Sequence, residues 1–281
     1  VCIDQRSVGA MLTYAKIAKN PKLFQSLTGL SLPAFAQLLP AFEKAYDADL
    51  VRRDEQKAEA RQRQRGGGRR STIPDMADKL VFILVYFRLY PVQVLQGFLF
   101  DLSQPQANEW IHRLTPVLNE ALGYEQQLPA RRAKDIEAVL EACPGLEFMI
   151  DGTERPVRRP KDDEQQRAKY SGKKKRHTVK NNIITDKQTG KVKGLSATVD
   201  GRTHDKKLAD EQALSFPTGS KLWQDTGFQG YAPDGVIVIQ PKKKPRGQQL
   251  SYADKDRNRR ISRGRIYVEH TIGGVKVFSI V

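Results

Sequence analysis

The sequence predicts an α+β protein, with an all-helical N-terminal half followed by a mixed β-sheet flanked by helices. Three observations carry this. Apolar residues recur at helical spacing from Leu12 to about Leu140. From Leu146 onward they give way to short apolar or alternating runs bounded by turn residues. Between two of the helical stretches lies a segment rich in Arg, Gln and Lys that closes on Gly66, Gly67 and Gly68, the composition of a linker rather than a core.

The chain has 281 residues and is 39% hydrophobic, enough to bury a core in one large or two modest domains. Its formal net charge of +16 points to a polyanionic partner, with nucleic acid as the default and an anionic membrane as the rival. The membrane reading fails on the longest apolar run, residues 80–90, which is too short to span a bilayer and is broken by Arg88. Cys2 and Cys143 are the only cysteines, so a disulfide framework and a thiolate zinc site are both excluded, which fits a reducing cytoplasm. The four histidines lack HExxH or close pairing, against a zinc hydrolase. Met11 offers an alternative start.

Residues 11–50 read as a helical segment, with Ser31 and Pro33 opening its second helix. Residues 51–71 read as a solvated helix running into a basic hinge, either a plain charged linker or a phosphate contact. In residues 72–128, Pro74 and Asp75 open a helix containing Leu80, Ile83 and Leu84, Pro91 starts a short one, and Ser103 caps a third with Pro105 in its first turn. This is a helix-turn-helix pattern or, alternatively, an ordinary helical bundle with Trp110 and Leu114 in its core. On the first reading the third helix enters the major groove, and Gln104, Gln106, Asn108 and Arg113 are its candidate contacts.

A second domain, 129–281, opens with an amphipathic helix over 129–140. Residues 148–150 then read as the end of a buried strand, with Asp151 and Gly152 where the backbone leaves the sheet. Asp-Gly is also ordinary turn chemistry. A dense basic run follows, including Lys173, Lys174, Lys175, Arg176 and Lys180, and leads into a hairpin of two strands, 178–184 and 192–199. His204 and Asp205 precede a helix over 206–214; Asp205 reads as a cap or a substrate-positioning acid, His204 as a structural hydrogen bonder. A short strand ends at Asp225, another covers 236–239, and a basic loop with Lys243 leads toward a final helix carrying Arg265, Glu269 and Lys276.

Asp151, Asp225 and Glu269 are therefore expected to converge as a three-carboxylate site. Hard oxygen ligands suit two Mg2+ ions, which activate a water or 3′-hydroxyl on one side of a scissile phosphate and stabilise the departing oxygen on the other. Mn2+ is expected to substitute. Flanking Lys and Arg would hold the DNA backbone.

The stretches IDGTE (150–154), HD (204–205), DTGFQGY (225–231) and RIYVEHTIGGVK (265–276) resemble the DDE transposases of bacterial insertion sequences, in the subgroup with an N-terminal helix-turn-helix domain. The resemblance covers 72–276 and implies a ribonuclease H-like catalytic fold. It implies hydrolysis at the terminal inverted repeats of a mobile element and joining of the 3′-OH ends to target DNA, with magnesium. The family's acids fall on Asp151, Asp225 and Glu269, and its two end-contacting basic residues on Arg265 and Lys276. Ser262 stands where relatives often have Tyr. The chain stops five residues after Lys276, where family members continue, so a C-terminally truncated copy is expected. An endonuclease of the same fold without strand transfer, or an inactive DNA-binding remnant, are the alternatives. The expected setting is the bacterial cytoplasm at the nucleoid, with double-stranded DNA as partner, a homodimer when two ends are paired, and no membrane.

Overall fold

The computed structural model describes residues 11–56, 71–125, 127–245 and 247–275, except the side chains of 267–272 and 275. The chain divides into two compact units, the first running through Leu128 and the second being Pro129–Val275.

The first unit is helical: α1 (Tyr14–Ile17), α2 (Pro21–Thr28), α3 (Leu32–Glu55), α4 (Met76–Leu89), α5 (Gln93–Leu99) and α6 (Gln104–Tyr124). Ser31 and Ser103 cap α3 and α6 as the sequence predicts, and Ser103 forms a reciprocal capping box with Gln106. One core runs through the unit, with Phe24, Phe35, Phe42, Phe82, Phe100 and Leu114 fully buried. The α5–α6 turn depends on Gly97. A Cβ there would lie 2.5 Å from the Leu102 carbonyl oxygen, and the Leu102 N–H donates to the Gly97 carbonyl at 2.8 Å. The expected helix over the start of 51–71 is the last turn of α3; residues 57–70 lie outside the described set.

The second unit contains α7 (Ala133–Glu141), β1 (Glu147–Pro156), α8 (Asp163–Lys169), β2 (Tyr170–Ser171), β3 (Arg176–Asp186), β4 (Val192–Leu195), β5 (Val199–Asp200), α9 (Asp205–Gln212), β6 (Lys221–Trp223), β7 (Ile237–Ile239) and α10 (Tyr252–Val275). The sheet order is β2-β3-β1-β6-β7, with β4 and β5 also pairing with β3. β1 is antiparallel to β3 and parallel to β6, and β6 is parallel to β7, so the sheet is mixed. Alternation along β1 sends Phe148 and Ile150 into a core with Ile136, Leu140, Ala209 and Leu222, while Met149 packs on the other face with Ile183 and Trp223.

Three sequence expectations are corrected here. The strand does not end at Asp151: β1 continues to Pro156 because β3 pairs with it as far as Thr178. On its other edge, however, pairing with β6 stops at Met149 opposite Trp223, so Asp151 is mid-strand toward β3 and beyond the end of pairing toward β6. The partner strand 192–199 is two pieces, β4 and β5, and between them the Ser196 hydroxyl, in place of a backbone carbonyl, accepts the Asn182 N–H of β3 at 2.8 Å. The helix expected over 129–140 begins at Ala133, because Ala130 is spent bridging to Gly194.

Candidate active site

Strand register builds the site. Met149 lies opposite Trp223 in the parallel β1–β6 pair, and Asp151 and Asp225 are each two residues further on, which makes them level just past the end of that pairing. Past Asp225 the chain turns into a short 3-10 helix, Thr226–Phe228, and the Asp225 carboxylate accepts the Gly227 N–H at 2.7 Å. Gln240 holds this turn by donating to the Asp225 carbonyl at 2.5 Å. The Asp151 carboxylate accepts the Gly152 N–H at 2.9 Å.

Helix α10 reaches the sheet where Gly264 meets Trp223; a Cβ on Gly264 would lie 2.6 Å from the indole ring. Trp223 and Met149 share a face, and by alternation Asp151 lies on it too. The charge of Arg265, next to Gly264, is felt at Asp151. Glu269 stands four residues beyond Arg265, one turn along the same side of α10; its side chain lies outside the described residues. Lys276 lies outside them as well.

Asp205 comes to the site through two glycines. It opens α9, His204 being the N-cap residue without a side-chain cap bond. A Cβ on Gly152 would lie 2.6 Å from one Asp205 carboxylate oxygen, and one on Gly227 would lie 2.9 Å from the other and 2.9 Å from Asp225 Oδ1. The Asp205 and Asp225 oxygens are therefore within twice that last distance of each other.

This crowding sets the electrostatics. The Asp151 carboxyl is pushed up from its ordinary 3.8 to about 6 by burial first, then by the charges of Asp225 and Asp205, with Arg265 and the Gly152 N–H opposing. Among the described residues no three His, Cys, Asp or Glu side chains are spaced to hold one ion, and the Glu269 carboxylate is not among them. The donors that do converge are hard carboxylate oxygens in mutual repulsion, which fits a divalent Mg2+- or Mn2+-like cation and does not fit a thiolate or imidazole metal.

Sequence reasoning passed over the groups behind these acids. Lys180, grouped there with the DNA-facing basic run, is 7% exposed. Its ammonium lies 3.0 Å from Asp205 Oδ1 and 3.6 Å from Glu154 Oε1. Glu154 is its cross-strand partner and also accepts the Thr178 hydroxyl at 3.0 Å. Burial alone would raise the Glu154 carboxyl; the hydrogen bonds from Ser171 and Thr178 and the Lys180 charge hold it below its ordinary value. The signal was in the alternation, since Lys180, Asn182 and Ile184 share a parity, and Ile184 is core.

The remaining candidates separate. Lys173, Lys174 and Lys175 are exposed on the β2–β3 turn, Arg176 is exposed at the start of β3, and Lys243 is exposed on the loop after β7. On α6, Gln104 bonds to Gln93 of α5 at 2.6 Å and Gln106 is taken up by the cap. Asn108 is half-buried. Arg113 turns inward: its Nε lies 3.3 Å from Asp49 Oδ2, and its guanidinium covers the rings of Tyr46 and Trp110 at 4.6 and 5.4 Å. That ties α6 to α3 and removes Arg113 from the free base-reading set. No helix among the described residues is long and apolar enough to cross a membrane.

Comparison with known proteins agrees with this layout. Residues 150–281 match the family model described as DDE superfamily endonuclease, and residues 75–123, which hold α4 to α6, match the helix-turn-helix of DDE superfamily endonuclease. A probable transposase for insertion sequence element IS702 from Microchaete diplosiphon is 28% identical over 271 residues, 94% of this chain and 88% of the relative. No solved structure matches.

Proposed function

Because the chain belongs to the DDE transposases of insertion sequences, with an N-terminal helix-turn-helix, we propose that it cuts phosphodiester bonds at the terminal inverted repeats of a mobile element and joins the freed 3′-OH ends to target DNA. The observation that carries this reading is the level placement of Asp151 and Asp225 just past the last pair of the parallel β1 and β6, beneath a helix seated on Trp223 that carries Glu269 one turn beyond Arg265.

In this reading Asp151, Asp225 and Glu269 hold two divalent cations, Mg2+ or Mn2+. When bound, these supply activation of the attacking oxygen and stabilisation of the leaving one. The protein's own work is to place and orient. β1 and β6 fix the two aspartates; Gln240 and the Gly227 N–H hold Asp225; Asp205 lies against Gly152 in β1 and Gly227 in the turn after Asp225, with His204 as the residue that ends the preceding turn. Arg265 and Lys276 would contact the element's end, while Lys173, Lys174, Lys175, Arg176 and Lys243 would hold phosphates without reading sequence. Gln104 and Asn108 on α6 are the base-reading candidates, with Gln106 and Arg113 supporting the helix from its cap and its inner face. The organisation proposed is a helical segment 11–50, a basic linker 51–71, a helix-turn-helix domain 72–128 and a catalytic domain 129–281. Pairing of two ends calls for two copies on DNA, at the nucleoid.

The test is incubation of the protein with Mg2+ and DNA carrying the neighbouring element's end, beside Asp151→Asn. Nicking at the end and transfer to a target plasmid, both lost in the variant, support the proposal. Nicking without transfer assigns an endonuclease of this fold, and binding without nicking assigns an inactive remnant.

A further inference from the structure

We infer that Lys180 is a positioning residue of the acidic site: buried in β3, it fixes the Asp205 carboxylate in the space left by Gly152 and Gly227 and thereby sets the stretch of β1 that carries Asp151 and the turn that carries Asp225. This rests on the reading of those acids as a metal site.

Lys180 differs from the other lysines of its run. Lys173, Lys174 and Lys175 are exposed, whereas Lys180 is 7% exposed, and its ammonium donates to the Thr203 carbonyl at 2.8 Å while facing Asp205 at 3.0 Å and Glu154 at 3.6 Å. A lysine so enclosed cannot clamp DNA. Burying an ammonium is costly unless it is paired, and a buried ion pair adds little net stability compared with apolar packing. What such a group supplies is direction, and its three partners come from β1, from the loop before α9 and from the first residue of α9.

The geometry carries that direction to the site. Asn182, two residues along β3, donates to the Asp205 backbone carbonyl at 3.1 Å, so both the main chain and the side chain of Asp205 are tied to β3. β3 is also the strand that pairs with Asp151 and Gly152, which lie opposite Ile183 and Asn182. With one oxygen held by Lys180, the Asp205 carboxylate is packed where side chains on Gly152 and Gly227 would otherwise be. Gly152 follows Asp151 directly, and Gly227, two residues after Asp225, is the residue whose N–H binds the Asp225 carboxylate. A shift of Asp205 removes the packing against both glycines together.

The test is Mn2+ binding to the full chain by calorimetry without DNA, with end-nicking measured beside it. Lys180→Met is expected to weaken Mn2+ binding and lower nicking kcat by about 10- to 100-fold, the range for partners that orient metal ligands. DNA affinity is expected to stay within about twofold, since an enclosed lysine makes no phosphate contact. A lysine acting only through its charge predicts the opposite sign, because losing a cation should tighten cation binding; tighter or unchanged Mn2+ affinity overturns the proposal. In an Asp205→Asn background, adding Lys180→Met should cost no more than about twofold further, whereas additive losses show that Lys180 does not act through Asp205. Circular dichroism and thermal melting check folding. If Lys180→Met does not fold, folded Asp205→Asn with parental Mn2+ affinity overturns the proposal equally. Mn2+ binding that survives Asp151→Asn overturns the metal reading itself, and the role of Lys180 with it.

Discussion

Glu147 and Asp151 stand four residues apart on β1, at one end of its pairing with β6 and just beyond the other, and the two ends treat a carboxylate in opposite ways. Glu147 accepts from the ammonium groups of Lys187 and Lys221, both at 2.8 Å, and these hold its carboxyl down to about 2. Asp151 is half-buried beside Asp225 and Asp205 and is pushed up to about 6. One end supplies its carboxylate with cations from the chain. The other gathers carboxylates and leaves much of the neutralising charge to come from outside. A carboxylate is structural where the fold provides its counter-charge and is a candidate ligand where the fold withholds it.

The widest separation between the ends is expected in catalysis. Asp151→Asn should reduce end-nicking by more than about 100-fold, exceeding the loss for a partner that merely orients a ligand, with DNA affinity retained. Glu147→Gln should nick at the parental rate. Gel assays at saturating DNA measure both, and equal losses in the two variants would erase the distinction.

Next is the response to pH, where the two ends have opposite sign. Asp151 has a folded value above its ordinary one. The stability it contributes is therefore present below pH 3.8 and lost as pH rises through about 6, a change of about 3 kcal/mol at most. The metal-free protein should accordingly gain melting temperature from this group between pH 7 and pH 5, the gain being absent in Asp151→Asn. Mn2+ should reverse the order, stabilising most above pH 6, because a proton competes for the same oxygen below it. A melting temperature indifferent to Mn2+ above pH 6 would mean that the crowded acids do not gather a cation.

Much of this was legible in the sequence, and the gaps have physical causes. The caps at Ser31 and Ser103 and the apolar periods around them act locally, so helices α3 and α6 could be read directly. Asp151 stood out because it ends an apolar run beside Gly152, and Asp225 because it follows a short strand and precedes Gly227 and Gly230. The length of β1 was not legible, since residues 152–156 are held by pairing with β3 rather than by their own pattern. Lys180 and Glu154 were hidden for a related reason: a charged residue inside a polar stretch looks solvent-facing until its cross-strand partner is known. Arg113 misled in the other direction, being a helix-surface arginine by sequence and an inward one by its contact with Asp49.

Glycine substitutions compare the same two ends by packing rather than charge. At Gly145, before β1, an added Cβ would lie 2.8 Å from the terminal oxygen of Gln188, an exposed side chain that can swing away. At Gly152 it would lie 2.6 Å from an Asp205 oxygen and 2.8 Å from its carboxyl carbon, and Asp205 is held by Lys180 and Asn182. Gly152→Ala should therefore cost about 1–3 kcal/mol as an overpacked site and also weaken Mn2+ binding. Gly145→Ala should stay within about 0.5 kcal/mol of the parent. Urea denaturation gives both values, and a neutral Gly152→Ala would show that Asp205 is free to retreat.

The smallest effect belongs to the paired end. Glu147→Gln removes two ion pairs, but Lys221 has 47% of its side chain exposed and Lys187 25%, so solvent screens both and the loss should be only about 1 kcal/mol at pH 7. Its pH dependence makes so small a difference assignable. The folded value is depressed, so the contribution is present above the ordinary 4.5 and disappears as pH falls through about 2. Parent and variant should therefore differ in urea midpoint at pH 7 and converge toward pH 2, and the gap at pH 7 should narrow in high salt. Lys187 also covers the Trp223 ring at 4.3 Å, a contact that survives the substitution and should keep the seat of α10 in place. A Glu147→Gln protein that lost nicking while keeping its urea midpoint would tie this end of β1 to the site through Trp223, and the two ends would then be one device.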